Sequence, residues 1–134
     1  MKKNLTTKEI IKHGAVVVGN FTGINLQETG DILKEGFYFI AAPNSSVVYA
    51  THVGNQQRRR GFGETMIRLR KPRTGQAREV KDYLLSGKSV KLYFLKFNQV
   101  RNLLDLEEYG QMNNGHELIG KVRNKFIIHG RMAS

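Results

Sequence analysis

Two tyrosines and a run of arginines lie close together between residues 36 and 60, in the stretch GFYFIAAPNSSVVYATHVGNQQRRR. Aromatic and β-branched residues flank four turn residues at 43–46, and this pattern predicts a β-hairpin. Tyr38 and Tyr49 then fall on neighbouring strands, with the arginine run 58–60 just beyond them. Phenols beside guanidinium groups suit the handling of a phosphate group. The same two tyrosines could equally belong to the core of an ordinary sheet.

Glu107 is a second residue whose position is chemically suggestive. Helical spacing over 99–109 gives an apolar stripe of Val100, Leu103 and Leu104, and Glu107 continues that stripe. An ionised carboxylate enters apolar surroundings only when a cation, a metal or hydrogen-bond donors compensate it. Hard divalent cations take carboxylate oxygens, so Glu107 is a candidate metal ligand. The alternative is a glutamate on the helix flank that reaches solvent or pairs with an arginine.

The positive charge is concentrated in the middle of the chain. The protein has 22 Lys and Arg residues against 11 Asp and Glu, a net charge of +11. Residues 58–101 hold 13 basic and 3 acidic side chains, whereas 1–57 hold 5 and 4 and 102–134 hold 4 and 4. Such a block favours a polyanionic partner over a merely solvated basic face. Arginine is frequent in it, and the planar guanidinium fork suits phosphate.

Composition excludes several classes of protein. The chain of 134 residues fits one domain, and we predict a single domain over 1–134. It contains no cysteine, so it has neither disulfides nor thiolate metal sites. It has no apolar run long enough to span a bilayer and no signal-like segment, so we expect a soluble cytoplasmic protein without a membrane partner.

The four histidines give no metal-binding pattern. His13, His116 and His129 are scattered without the spacing of a ligand set, and we assign none of them to a metal. His52 lies at the end of the second hairpin strand. There it is either a hydrogen-bonded polar residue or a base.

Periodicity and capping signals predict the remaining elements of a mixed α/β (α+β) fold. Capping boxes at Thr6–Glu9 and Asn114–Glu117 mark two helix starts, and Asn98 is the predicted cap of a third helix. Residues 20–35 are predicted to form a loop. In chain order the predicted helices are 7–12, one from Phe62, 77–86, 99–109 and one after Asn114. The predicted strands are 15–18, the two hairpin strands, 89–97 and 125–128.

The triplet Gly36-Phe37-Tyr38, followed after ten intervening residues by Tyr49-Ala50-Thr51, resembles the paired motif of the GIY-YIG nuclease family. Arg59 lies ten residues after Tyr49, where that family usually has its catalytic arginine, and Glu107 corresponds to its metal-binding glutamate. The resemblance covers roughly residues 34–114. It implies a small central three-stranded antiparallel sheet flanked by helices. The second triplet departs from YIG, and a competing register places His52 in the tyrosine's position.

The resemblance also implies an activity, namely metal-dependent endonucleolytic hydrolysis of a DNA phosphodiester bond. Mg²⁺ or Mn²⁺ at Glu107 would stabilise developing charge, and Arg59 would neutralise the phosphate. Tyr49, or with less support Tyr38, would orient or deprotonate the attacking water, as would His52 in the competing register. The backbone phosphates would be contacted by Arg58, Arg60, Arg68, Arg70, Lys71, Arg73, Lys81 and Lys88.

Two alternatives to a DNA endonuclease remain open. One is a catalytically inactive nucleic-acid-binding protein on the same scaffold, and the other is a small basic RNA-binding protein. Since cutting both strands usually needs two sites, the nuclease hypothesis also predicts a homodimer or a higher homo-oligomer.

Overall fold

The computed structural model describes residues 2–28, 34–54, 69–73, 75–105 and 114–128. Within these ranges the protein is a mixed α+β fold, as the sequence predicts. The described helices are α1 (Thr7–Lys12), α2 (Gly75–Leu84), α3 (Phe97–Leu103) and α4 (Gly115–Lys125). The described strands are β1 (Lys3–Asn4), β2 (Val16–Thr22), β3 (Asn25–Glu28), β4 (Gly36–Ala41), β5 (Tyr49–Val53), β6 (Val90–Leu95) and β7 (Phe126–Ile127).

A five-stranded sheet in the order β3-β2-β6-β4-β5 organises the described part of the chain, and every neighbouring pair in it is antiparallel. All six residues of β4 are buried, because β4 pairs with β5 on one side and with β6 on the other. A separate two-stranded parallel ladder joins β1 to β7. The predicted hairpin and third strand are thus confirmed as three adjacent strands with β4 in the middle.

The prediction of three strands in the central sheet is wrong, because β2 and β3 extend it. The predicted loop at 20–35 contains the end of β2 and all of β3. Thr22 pairs with Asn25, so a two-residue turn joins these strands, and its first residue, Gly23, has a φ of 57°. Tight hairpin turns often require a positive φ, which favours glycine. β3 is polar and largely exposed, so it lacks the apolar alternation from which a strand is usually predicted.

Helix α3 is shorter than predicted and begins earlier. Its N-cap is Lys96, not Asn98, and the Gln99 side chain accepts a hydrogen bond from the Lys96 backbone N–H at 2.8 Å. It ends at Leu103, two residues before Asp105, whose φ is 56°. The Lys125 ammonium fixes this end by donating to the Leu103 carbonyl and pairing with the Asp105 carboxylate. The predicted helix 99–109 is therefore interrupted at 104–105, and Glu107 lies outside the described residues.

Two hydrophobic clusters cover the two faces of the sheet. Face one includes Tyr38, Ile40 and Tyr49, and it packs against Leu69 and the apolar side of α2. Face two includes Phe37 and its alternating neighbours, and α1, α3 and α4 pack against it. The two-residue period of β4 and β5 assigns each side chain to one face. Face one is thus covered by α2 and the residues next to it, which form the most basic part of the described chain.

Gly36, the glycine of the first motif, is required by close packing at the start of β4. Its φ is 156°, and a Cβ there would collide with the Phe94 ring and lie 3.0 Å from the Leu95 carbonyl oxygen. We expect Gly36→Ala to lower the free energy of unfolding by about 2 kcal/mol or more, as measured by urea denaturation. The control is Gly120→Ala in α4, where a Cβ meets nothing within 4 Å. Equal stability of the two variants would contradict this account.

Candidate functional site

The two tyrosines of the predicted phosphate site both lie on face one, but their surroundings differ. Tyr38 is 1% exposed, and its hydroxyl donates to the Lys34 carbonyl at 2.7 Å. Tyr49 lies on the edge strand β5 and is 9% exposed. Tyr38 is therefore enclosed in the core, and Tyr49 is the more accessible phenol of the two.

His52 lies on the opposite face from both tyrosines. It pairs with Phe37 across the β4–β5 ladder, and its ring packs against Phe37 and Phe97 with centroid distances of 5.2 and 5.5 Å. Helix α3 covers the same face. Consequently no single cleft in the described part of the chain contains Tyr38, Tyr49 and His52 together.

The other predicted catalytic groups lie outside the described residues. These are Arg59, the candidate for phosphate neutralisation, and Glu107, the candidate metal ligand. Three predicted nucleic-acid contacts, Arg58, Arg60 and Arg68, lie outside as well. The described residues contain no group of three or more His, Cys, Asp or Glu side chains arranged to hold a metal ion. The predicted Mg²⁺ or Mn²⁺ therefore depends on Glu107.

The remaining predicted nucleic-acid contacts lie on α2 or within five residues of its ends, and α2 packs over face one. We call this region the α2 surface, and it includes one arginine that the sequence analysis did not assign, Arg78. Helix α2 also carries two acidic side chains, Glu79 and Asp82, and both are exposed. An excess of cations on one surface is the electrostatic pattern expected of a phosphate-binding face. The basic side chains of the α2 surface are Arg70, Lys71, Arg73, Arg78, Lys81 and Lys88.

Specific contacts fix the shape of the α2 surface. The Lys81 ammonium donates to the Arg70 carbonyl at 3.1 Å, which ties the segment 69–73 to α2. The Tyr83 hydroxyl accepts from the Ala42 N–H at 3.1 Å and anchors α2 to the end of β4. The Lys88 ammonium lies 5.1 Å from the centroid of the Tyr83 ring, at cation–π distance. The cations therefore project from a firmly packed support.

A cleft of about 360 Å³ lies between β5 and α4, on the edge of the sheet. The Arg123 guanidinium donates to the Ala50 carbonyl at 2.8 Å, and this bond joins α4 to the edge strand. Asn114 caps α4 by accepting from the Glu117 N–H at 2.8 Å, which confirms the predicted helix start, but the Glu117 carboxylate accepts from the Asn114 side-chain N–H at 3.3 Å and not from its backbone, so the reciprocal bond of a capping box is not formed. A Cβ at position 115 would collide with the His52 ring, so glycine there allows the ring to lie under the first turn of α4. The cleft is lined by Thr51, His52, Asn114, Gly115, His116, Ile119 and Arg123.

Burial lowers the pKa of His52 below its usual value of 6.5, Glu35 opposes this shift, and His116 adds to it. The unfolded chain therefore takes up a proton at higher pH than the native state does. The free energy of unfolding should be highest above pH 6.5 and fall as the pH drops through that value toward the native pKa. We expect the melting temperature of the wild type to fall more than that of His52→Phe between about pH 7.5 and about pH 5.5. An equal fall in the melting temperatures of the two proteins, measured in a phosphate-free buffer, would contradict this.

Sequence reasoning missed the cleft because its residues are distant along the chain. Asn114 was recognised only as a cap and His116 only as an isolated histidine. Arg123 and the Ala50 carbonyl it binds are 73 residues apart. Local spacing carries no signal for such a contact, which depends on how α4 packs against β5.

Comparison with known proteins decides the family. The profile of the family described as T4-like phage nuclear disruption protein (Ndd) matches residues 2–133. The chain belongs to this family. No curated protein and no solved structure matches the chain.

Membership in the Ndd family covers nearly all of the sequence, including the basic block and both edges of the cleft. It makes the protein a phage nuclear disruption protein at the level of the family, and it leaves the GIY-YIG resemblance as a prediction. None of the helices in the described ranges is long and apolar enough to cross a bilayer.

Proposed function

We propose that the protein binds duplex DNA through its backbone phosphates and acts in nuclear disruption by this binding. The observation that supports the proposal is the positive charge of the α2 surface. Residues 69–88 contain six basic side chains and two acidic ones. The family's description, nuclear disruption, is consistent with a nucleic-acid target.

Contacts of this type carry little sequence information. Lysine and arginine side chains on a helix surface bind phosphate oxygens, and sequence is read by groups that reach base edges. The α2 surface presents charge on a packed helix and its flanking segments, so the duplex is held by counterion release. A protein bound in this way competes with any other basic protein for the same backbone.

Salt dependence tests this mode of binding. Six phosphate contacts predict that log K falls against log [salt] with a slope of about −5. The measurement is fluorescence anisotropy with two labelled duplexes of unrelated sequence, at several salt concentrations. We expect equal affinities and equal slopes for the two duplexes. A strong preference for one duplex, for single-stranded RNA, or a slope near zero would contradict the proposal.

We propose as a second candidate function a metal-dependent endonuclease of the GIY-YIG type on the same scaffold. The order β5-β4-β6, with the first motif strand between the other two, supports it. Tyr49 keeps some exposure on that sheet. Arg59 would neutralise the phosphate, and Tyr49 would orient the attacking water. A divalent cation at Glu107 would supply stabilisation of the charge that develops on the phosphate.

Incubation of supercoiled plasmid with the protein, with and without Mg²⁺, tests the second candidate. Nicking that requires Mg²⁺ supports it. Binding without nicking in either Mg²⁺ or Mn²⁺ removes it and leaves the DNA-binding proposal intact, because the two functions depend on different residues.

A further inference from the structure

The cleft between β5 and α4 is separate from the α2 surface. It lies where α4 meets the sheet edge, and α4 packs on face two, whereas α2 packs on face one. The DNA-binding proposal does not use it. Any ligand of this cleft therefore adds to the function derived above.

The chemistry of the lining favours an anion. Five polar side chains reach the cleft, and each is a hydrogen-bond donor, a cation or a group that can become one. Arg123 has five N–H donors, of which one binds Ala50. No carboxylate lines this cleft, although the Glu117 carboxylate accepts from the side-chain N–H of Asn114 at 3.3 Å. The polar side chains are Thr51, His52, Asn114, His116 and Arg123.

His52 provides an independent indication of a ligand. Its Nε2 atom lies beneath Gly115 at the margin of the cleft, is buried and has no hydrogen-bond partner among the described residues. Native proteins leave few buried nitrogen atoms without a partner, and an ion or a water is a common explanation for those that remain. Glu35 and His116 are the titratable groups that act on the pKa of this ring, and they act in opposite directions. Burial disfavours the protonated form of the His52 ring, and a negatively charged oxyanion in the cleft would stabilise that form.

The first turn of α4 already has a hydrogen-bond acceptor for one of its N–H groups. The Asn114 side chain already accepts from the Glu117 N–H, which is one of the donors of the first turn. The side chains of Arg123, His116 and His52 are therefore the groups that distinguish this cleft from an ordinary helix start.

We propose that the cleft between β5 and α4 binds a phosphate oxyanion, held by Arg123 and His116 beside the His52 ring. The volume of about 360 Å³ accommodates a phosphate group with part of the molecule that carries it. That group is either a phosphodiester of a nucleic acid or the phosphate of a small molecule. Both ligands present phosphate oxygens to the same side chains, and the duplex experiment described below distinguishes them.

Histidine NMR with inorganic phosphate tests the site directly. We expect the ring signals of His52 and His116 to shift saturably with a Kd on the order of 1 mM, at constant pH and ionic strength. His13 is the internal control, since its Nδ1 lies 2.9 Å from the Glu9 carbonyl oxygen, away from the cleft. Unchanged His52 and His116 signals at roughly ten times that concentration, or equal shifts of His13, would overturn the proposal.

Substitutions on one helix provide a matched comparison. Arg123→Gln should weaken phosphate binding about tenfold, because it removes a charge-assisted contact. Lys121→Gln removes the same charge from an exposed position of α4 that does not line the cleft, and it should change nothing. His116→Gln, also at an exposed position, repeats the test if loss of the Arg123 bond to Ala50 unfolds the protein. Equal binding by all three variants would overturn the proposal.

A duplex oligonucleotide distinguishes the two sources of phosphate. If the ligand is a nucleic-acid backbone, the duplex shifts the same histidine signals and phosphate competes with it. If the ligand is a small phosphorylated molecule, phosphate shifts these signals and the duplex does not. Either outcome supports the anion site. Duplex binding by the α2 surface is measured separately by anisotropy, so failure of one proposal leaves the other interpretable.

Discussion

Simultaneous replacement of Arg70, Lys71 and Arg73 by glutamine is expected to weaken duplex binding roughly 100-fold at low salt. These three residues are exposed, and they stand in the segment that Lys81 ties to α2. The slope of log K against log [salt] should also become shallower by about 3, because each lost phosphate contact removes about 0.9. Anisotropy titrations against a labelled duplex measure both quantities.

The matched control removes the same charge from the opposite face. Lys2, Lys8 and Lys12 are exposed, and Lys8 and Lys12 belong to α1, which packs against face two. Their triple replacement by glutamine changes the net charge equally, so it corrects for the general attraction between a basic protein and DNA. We expect a loss of less than about fivefold. Equal losses in the two triple variants would show that net charge, and not the α2 surface, determines binding.

For the proposed nuclease function, Glu107→Gln is expected to abolish Mg²⁺-dependent nicking of supercoiled plasmid while leaving duplex affinity within about twofold of the wild type. The substitution removes the carboxylate charge and keeps the size of the side chain. Arg59→Ala should also abolish nicking, since it removes the group that neutralises the phosphate. Agarose gel electrophoresis of the plasmid measures the product.

Three outcomes separate the nuclease candidate from its alternatives. Full nicking by Glu107→Gln would exclude this residue as the metal ligand. Nicking that persists in both variants would point to a different active site or to a contaminant. Nicking by the wild type that does not depend on a metal would contradict the GIY-YIG mechanism.

The hairpin and the starts of α1 and α4 were predictable from the sequence because their signals are local. Four turn residues between two β-rich segments define β4 and β5, and the strand period assigns Tyr38 and Tyr49 to one face. The caps of α1 and α4 are formed by side chains three residues away from the N–H groups they bind. Such contacts depend on short spacing alone.

The remaining features depend on pairing between distant segments. β3 forms by pairing with β2, although its own sequence is polar. The end of α3 depends on Lys125, which lies 22 residues beyond the Leu103 carbonyl it binds. The cleft similarly depends on the contact of Arg123 with the edge strand. None of these contacts leaves a periodic pattern in the sequence.

Mapping of the DNA-contacting side chains tests the central claim most directly. Lysine and arginine side chains are chemically modified in the free protein and in its complex with duplex DNA, and the extent of modification is read by mass spectrometry. The account predicts strong protection of Arg70, Arg73 and Lys88 on the α2 surface, and unchanged modification of Lys8 and Lys12 on α1. Protection of the α1 lysines with no protection on the α2 surface would contradict it.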